Sequence, residues 1–320
     1  MAQSSKQFNY FSNQMKVLFL TRLFFPHVGG VERHISGLIN TLSKKHKFTI
    51  ITEQFSPDLP RHEVIKGVSI FRIPLANASE KHKKWLIWKW LLKNSYLIFS
   101  ADIIHIHDVF FWILPFLLFT RNRIFITFHG YEGVNAPVWK QKFWHKLAER
   151  LTRGNICIGD FHKKWYGTRP DIVSYGAVDQ ISTPTTKRAG AIFIGRPTTD
   201  AGLEEYKKLA KIHKIKLDIH THTPNAARLI PRYKYAFVSR YLAILEALIT
   251  KTPVIVHYNN AIKYDYLALA PFAKFISQFN DYRLADVFSI TPDKIQKGYK
   301  WAREQTWAKL AGEYETLWQK

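Results

Sequence analysis

Two adjacent glycines, Gly29 and Gly30, stand between an apolar run at residues 17–20 and a stretch with the spacing of a helix. Glycine has no side chain, so a ligand can approach the backbone closely at such a turn. The first N–H groups of a helix also attract anions such as phosphate. The pair therefore predicts a phosphate site at the start of the first helix. The alternative is a tight strand-to-helix turn without a ligand.

Three further side chains could take part in chemistry. Arg196 follows the apolar run AIFIG, and its planar guanidinium suits phosphate oxygens. Glu246 lies in the helical segment LEAL, and a carboxylate accepts two O–H hydrogen bonds well. His129 follows the run IFITF and could hold a hydroxyl group or accept its proton. The plain alternatives are a solvated arginine, a surface glutamate and a structural histidine.

Strands and helices that alternate along the chain would position these residues. The runs predicted as strands in the first half are residues 16–21, 48–52, 68–74, 101–108, 124–130 and 154–159. The pattern restarts after the polar stretch at residues 180–190, with strands in AIFIGR, KLDIHT, YAFVS and PVIVHYN and helices in LEEYKKLAKIH and LAILEALITK. Such alternation predicts an α/β fold with a parallel, doubly wound sheet in each of two domains. Ligands of such sheets bind beyond the carboxyl ends of the strands, so a substrate is expected in the cleft between the domains.

The order of these segments resembles the family-4 retaining glycosyltransferases, whose GT-B fold consists of two facing Rossmann-like domains. The segments that carry the resemblance are FFPHVGGVERH, ADIIHIHD, FITFHG, IVSYGAVD, AIFIGRPTTDAG, LEALITKTPVIV and WAREQTWAKLAGEYETLW. The resemblance implies four parts: a polar extension at 1–14, an acceptor-side domain at 15–182, a donor-binding domain at 183–302 and a closing helix at 303–320. That helix is expected to return to the first domain.

The resemblance also implies a reaction. A sugar would pass from a nucleoside-diphosphate sugar to a lipid-linked or growing glycan acceptor, with retention of anomeric configuration. The backbone of Gly29 and Gly30, together with Arg196, would stabilise the departing diphosphate. Glu246 would bind the ribose hydroxyls, and His129 would orient the sugar or the acceptor. The alternative is a non-catalytic glycan- or membrane-binding protein on the same scaffold.

No metal and no cofactor are expected, because the resemblance implies a fold that works without a metal and uses the nucleotide-sugar as a co-substrate. His105 and His107 share one face of a predicted strand, and Asp108 follows them. Histidine and aspartate do bind divalent metals, but two histidines on one strand are weak support for a site.

Two positions depart from the pattern of the family. The family has a lysine five residues after the arginine, as a second diphosphate contact, where this chain has Ala201. It also has a glutamate eight residues before the ribose-binding one, where this chain has Val238. Arg240 or Lys263 would be the replacement for the missing phosphate contact. The losses would permit an altered donor, a different phosphate geometry or a chain without catalysis.

The chain is strongly basic, with 47 Lys+Arg against 24 Asp+Glu and a formal net charge of +23. Such a charge favours anionic partners. Residues 81–93, KHKKWLIWKWLLK, place Lys89 and Lys93 on one side of a helix and Trp85, Trp88, Leu91 and Leu92 on the other. This pattern is typical of a helix that lies on an anionic membrane, and equally of a helix that covers the sheet. No nucleic-acid-binding signature is present, so nucleic acid is not an expected partner.

The expected location is the cytoplasm, on the inner face of the cell membrane. Cys157 is the single cysteine, so no disulfide can form within the chain, which suits a reducing compartment. Residues 1–14 are polar and lack the apolar core of a signal peptide. The longest apolar run, residues 109–119, contains Pro115 and is shorter than the roughly 20 residues that a spanning helix needs.

Overall fold

The computed structural model describes residues 14–75, 78–120, 123–131, 135–181, 188–221, 223, 225–283 and 286–320 of the chain. The predicted extension at 1–14 falls almost entirely outside these ranges, and so do residues 182–187, which contain the predicted domain boundary. Two sheets with helices on their faces make up the described part. Within it, no helix is both long and apolar enough to cross a bilayer.

An eight-stranded sheet forms the centre of the first domain. Its strands are β1 (Lys16–Thr21), β2 (Lys47–Gln54), β3 (His62–Ile65), β4 (Val68–Pro74), β5 (Ile103–His107), β6 (Ile124–Phe128), β7 (Gly154–Ile158) and β8 (Ile172–Ser174). Their order is β3-β4-β2-β1-β5-β6-β7-β8, and β3, which the sequence analysis missed, is antiparallel to β4. Every other pair is parallel. Every residue of β5, β6 and β7 is buried, as expected for central strands covered on both faces.

A five-stranded parallel sheet forms the second domain. Its strands are β9 (Ala191–Ile194), β10 (Leu217–His220), β11 (Tyr235–Phe237), β12 (Val254–His257) and β13 (Ser277–Phe279), in the order β10-β9-β11-β12-β13. The order reverses direction between β9 and β11, which is where doubly wound sheets bind ligands. The loops after these two strands carry Arg196 and Arg240.

Helices cover both sheets. They are α1 (Gly30–Leu42), α2 (Glu80–Lys93), α3 (Tyr96–Phe99), α4 (Leu117–Thr120), α5 (Trp139–Leu151), α6 (Phe161–Tyr166), α7 (Leu203–Ile212), α8 (Tyr241–Ile249), α9 (Ala261–Ala268), α10 (Pro292–Arg303) and α11 (Trp307–Trp318). Short 3₁₀ helices also occur, among them Phe110–Phe116, which leads into α4. The predicted α/β class, with two domains that each contain a largely parallel sheet, is confirmed.

The chain returns to the first domain at its end. α11 packs along α1, and Gly37 of α1 leaves the space that the Trp307 indole fills. The closing helix, expected over 303–320, is α11, which begins at Trp307. α10 ends at Arg303, and Thr306 begins α11 by accepting a hydrogen bond from the Lys309 N–H.

Candidate active site

Gly29 lies where the start of α1 comes close to Arg196 of the second domain. It is the N-cap of α1 with extended backbone (φ −157°), so its role is to provide space rather than a left-handed conformation. A Cβ atom at Gly29 would overlap the Glu32 carboxylate and lie 3.0 Å from Nη2 of Arg196. A Cβ atom at Gly30 would have no neighbour within 4 Å. The structure thus brings Arg196, which is exposed, against the start of α1.

The N-terminus of α1 already faces a negative charge. The buried carboxylate of Glu32 lies over Gly29 and is within hydrogen-bonding distance of His27, with 2.6 Å between Oε1 and Nδ1. The loop before the helix is anchored by Arg72, which donates a hydrogen bond to the carbonyl oxygen of Phe25 at 2.8 Å. A phosphate at this helix N-terminus would therefore compete with Glu32 for the same partial positive charge.

Glu246 is bound by a residue of the first domain. Its side chain on α8 is 2% exposed, and its carboxylate forms an ion pair with the Arg33 guanidinium in the first turn of α1. Burial raises the pKa of the Glu246 carboxyl, while the charge of Arg33 opposes the shift. The structure therefore places this predicted ribose ligand at the cleft, but with its oxygens engaged by Arg33.

Arg240 and Lys263 converge on Asp200, in the loop after β9. The Arg240 guanidinium forms an ion pair with the Asp200 carboxylate and lies 4.7 Å from the ring centre of Tyr131, which belongs to the first domain. The Tyr131 hydroxyl donates a hydrogen bond to Asp200 at 2.8 Å. Lys263 is fully buried, its ammonium donates to the Asp200 backbone oxygen, and burial lowers its pKa to about 8. Arg240 keeps half of its side chain exposed, so it is the cation of the two that a ligand can reach.

His129 belongs to a group of histidines on the first-domain side of the cleft. Its Nε2 atom lies 2.8 Å from Nδ1 of His107, and its ring stands perpendicular to that of His34 at 4.8 Å. Its backbone N–H donates to the Asp108 carboxylate at 2.9 Å. Burial lowers the pKa of His34 to about 3 and that of His129 well below the usual value. The imidazole of His129 is therefore neutral at pH 7 and can exchange hydrogen bonds with a hydroxyl group.

α11 holds this group from behind. The Trp318 indole donates to Nδ1 of His105 at 2.9 Å, and Nε2 of His105 bonds to the Thr127 hydroxyl at 2.8 Å. The Tyr314 hydroxyl joins Thr127 to His34. Both ring nitrogens of His105 are thus used within the protein. Among the described residues no cluster of three or more His, Cys, Asp or Glu side chains could hold a metal ion.

Sequence reasoning missed several residues that meet the predicted ones. Arg33 follows Glu32 in the first turn of α1, and a basic residue beside a glycine loop is a signal that could have been used. Asp200 stands next to Ala201, one of the two positions that depart from the family pattern. For Tyr131, Tyr314 and His34, no local pattern points to the site, because their roles arise from contacts between distant segments.

A cavity of 1010 Å³ opens beside these residues, within the second domain. It is bordered by the loops after β9, β12 and β13, and its walls include Thr198, Asn260, Tyr258, Tyr264 and Tyr282. None of the residues singled out in the sequence as site residues lines it. The structure thus brings Arg196 to Gly29, Glu246 to Arg33 and Arg240 to Asp200 and Tyr131, outside the lining of this cavity.

Comparisons with known proteins agree with this architecture. The sequence profile of Glycosyltransferase Family 4 matches residues 28–169. No curated protein sequence matches the chain. Among solved structures, sucrose-phosphate synthase from Thermosynechococcus elongatus is similar with a TM-score of 0.70 and 11% identity, over 96% of this chain and 98% of that one.

Two other similar structures were solved with nucleotides. HepE of Anabaena, in complex with UDP and glucose, has a TM-score of 0.65 and 12% identity, over 96% of this chain and 100% of that one. A trehalose-6-phosphate protein from E. coli, bound with UDP-2-fluoro glucose, has a TM-score of 0.62 and 12% identity, over 95% and 99%. Residues 28–169 of the chain thus match Glycosyltransferase Family 4, and the chain has the two-domain GT-B fold of the similar solved structures.

Proposed function

We propose that the protein is a retaining, metal-independent glycosyltransferase that moves a sugar from a nucleoside-diphosphate sugar to a lipid-linked or growing glycan. The observation that carries the proposal is the meeting of Arg196 with the N-terminus of α1 across the cleft, at 3.0 Å from the Cβ position of Gly29. A guanidinium and the N-terminus of a helix together suit a diphosphate, which would have to displace the Glu32 carboxylate from α1. HepE and the trehalose-6-phosphate protein support it, since their ligands include UDP or a UDP-sugar.

In this mechanism the bond between the sugar C1 atom and the diphosphate oxygen breaks, and its electron pair leaves with the diphosphate. Arg196 and the backbone at Gly29 and Gly30 stabilise the charge that develops there. An acceptor hydroxyl attacks C1 on the face that the diphosphate leaves, and its proton passes to a diphosphate oxygen. His129, which is neutral, orients the sugar or the acceptor, and Glu246 accepts hydrogen bonds from the ribose once Arg33 releases it.

The second candidate function is a glycan- or membrane-binding protein without catalysis. It is favoured by the residues at the two departures, Ala201 and Val238, and by the internal ion pairs of Glu246 and Arg240. The two candidates differ in one observable: only the enzyme must bind a nucleoside diphosphate in the cleft.

The test is a thermal-shift screen of the purified protein against UDP, GDP, ADP, CMP and their common sugars. Stabilisation by one nucleoside diphosphate, lost in Arg196→Ala and retained in Arg303→Ala, is the expected result. Arg303 is an exposed arginine of α10 and serves as the matched control. Both variants should unfold near the temperature of the parent protein, since both side chains are exposed. A folded protein that no nucleotide stabilises would overturn the proposal, and so would an Arg196→Ala variant that binds and reacts normally.

A further inference from the structure

The outer surface of one helix layer carries a band of large apolar side chains. α2, α4 and α5 connect strands that follow one another across the sheet in the same direction, so right-handed crossovers place them side by side on one face. Their inner side chains share a single buried cluster. We call the exposed outer set the apolar face; its members are Trp85, Leu92, Tyr96, Phe99, Leu118, Phe119, Trp139 and Phe143.

The exposure of these side chains is high. Leu118 is 93% exposed, Trp139 78% and Phe119 73%. The set is continuous from α3 to α4, since the ring centres of Phe99 and Phe119 are 6.5 Å apart. Soluble monomers rarely keep apolar patches of this kind in water, so the surface is expected to be covered by a partner.

The helix α2 shows how the two expected roles of residues 81–93 combine. Ile87 and Leu91 are buried in the first-domain core, and the Trp88 indole donates to the Phe111 carbonyl oxygen at 3.0 Å. Leu91 therefore covers the sheet. The sequence pattern had instead grouped it with Trp85, Trp88 and Leu92 on the side expected to face lipid. Trp85 and Leu92 remain exposed on the outside.

Lysines accompany the apolar face. Those with exposed side chains are Lys84, Lys89, Lys93, Lys140, Lys142 and Lys146. Of the side chains described on α2, α3, α4 and α5, only Glu149 is acidic, and it pairs with Lys146 at 3.5 Å. Tryptophan and tyrosine beside lysine suit the boundary between lipid headgroups and acyl chains, where the rings enter and the ammonium groups meet anionic headgroups.

We propose that the apolar face docks on an anionic lipid bilayer, with Leu118 and Phe119 entering the acyl region. Two copies of the chain meeting through this face would bring like charges together, and exposed leucine and phenylalanine do not suit nucleic acid. The inference rests on the proposed function, because it delivers a lipid-linked acceptor. α5 begins at the carboxyl edge of the first sheet, the edge at which β6 leads into His129. An acceptor anchored in the bilayer would therefore enter the cleft from the docked side.

The experiment measures binding of the full chain to vesicles of phosphatidylcholine with and without phosphatidylglycerol. The parent protein should bind the anionic vesicles and be released by salt. The double variant Leu118→Ser, Phe119→Ser should bind at least about ten-fold more weakly, because each side chain loses its transfer into the apolar phase. Ile212→Ser, which removes a 53% exposed side chain from α7 of the second domain, is the control and should bind normally.

Several results would overturn the docking proposal. These are no binding by the parent protein, equal binding to neutral and anionic vesicles, and normal binding by the double variant. A dimer of the parent protein that the double variant converts to a monomer would show that a second copy covers the face. Nucleotide-induced thermal shifts are recorded on the same samples. Vesicle binding without any nucleotide shift would retain the docking site and reject glycosyl transfer.

Discussion

Acidification should destabilise the first domain through its buried histidines. Burial lowers the pKa of six histidines there: His34, His105, His107, His129, His145 and His162. A histidine whose pKa is lower in the folded state binds fewer protons there than in the unfolded chain. Its contribution is complete above the unfolded pKa, near 6.5, and is lost as the pH falls from there towards the folded pKa.

The pKa values of two of these histidines give the size of the loss of stability. The pKa of His34 is about 3 and that of His145 about 4, against 6.5 for an exposed histidine. At pH 5 each of the two costs about 2 kcal/mol relative to pH 7.5, since one pKa unit corresponds to about 1.4 kcal/mol. The two together cost about 4 kcal/mol, against a stability of about 5–15 kcal/mol for an ordinary domain.

The assay is urea unfolding followed by tryptophan fluorescence at pH 7.5, 6 and 5. The urea midpoint should fall steeply below pH 6.5. The variant His162→Leu should reduce that fall, because among the described residues neither ring nitrogen of His162 has a hydrogen-bond partner and the side chain is fully buried. At pH 7.5 this variant should be more stable by about 1 kcal/mol, because it removes unsatisfied polar atoms.

His82→Leu, at an exposed position on α2, is the control and should follow the parent protein at every pH. Equal urea midpoints at pH 7.5 and pH 5 would refute the assignment of neutral buried histidines. A His162→Leu variant that is less stable than the parent protein at pH 5 would refute the unsatisfied state of that ring.

Two further predictions concern the cleft. Gly29→Ala should destabilise the protein by about 1–2 kcal/mol, because the added methyl group overlaps the Glu32 carboxylate and crowds Arg196. Gly30→Ala, in open space at the start of α1, should leave stability unchanged or raise it by up to about 1 kcal/mol. Equal thermal unfolding midpoints for the two variants would contradict the close packing at Gly29. Asp200→Asn removes the ion-pair partner of Arg240 and should lower the stability of the protein by about 1 kcal/mol. If Arg240 contacts the phosphate, the freed guanidinium should make binding of UDP, or of whichever diphosphate the protein uses, several-fold tighter. Calorimetry measures this affinity. Unchanged affinity would remove Arg240 from the proposed donor site.

The strands of the fold were predictable from the sequence because they are short apolar runs separated by helical patterns. Residues 68–74, for example, form a strand as predicted, and the strand predicted at 124–130 ends at Phe128. β3 was missed because its four residues, HEVI, alternate in exposure and form an edge strand with weak patterning. The start of the closing helix was placed too early, because the helical pattern of α10 runs up to Arg303 and hides the N-cap of α11 at Thr306.

The residues of the candidate site were predictable only as far as the chain carries them in local patterns. Glycine after a strand and arginine after a strand are such patterns. The Arg33–Glu246 pair joins residues that are 213 positions apart, and the Tyr131–Asp200 bond joins residues 69 apart. Such pairs depend on how the two domains face each other, which periodicity and spacing do not encode.

These pairs suggest how a cleft that lacks the usual lysine could still receive a diphosphate. Three carboxylates at the cleft, those of Glu32, Glu246 and Asp200, are paired with His27, Arg33 and Arg240. We infer that a diphosphate would compete with these carboxylates for the same cationic partners. A diphosphate would take over the two arginines together with Arg196, and the freed Glu246 would then accept the ribose hydroxyls. In this arrangement Arg33 of the first domain supplies the positive charge that Ala201 lacks. The variant Arg33→Gln should therefore weaken nucleotide binding, even though it frees the Glu246 carboxylate. Tighter binding by that variant would show instead that Arg33 only blocks the site.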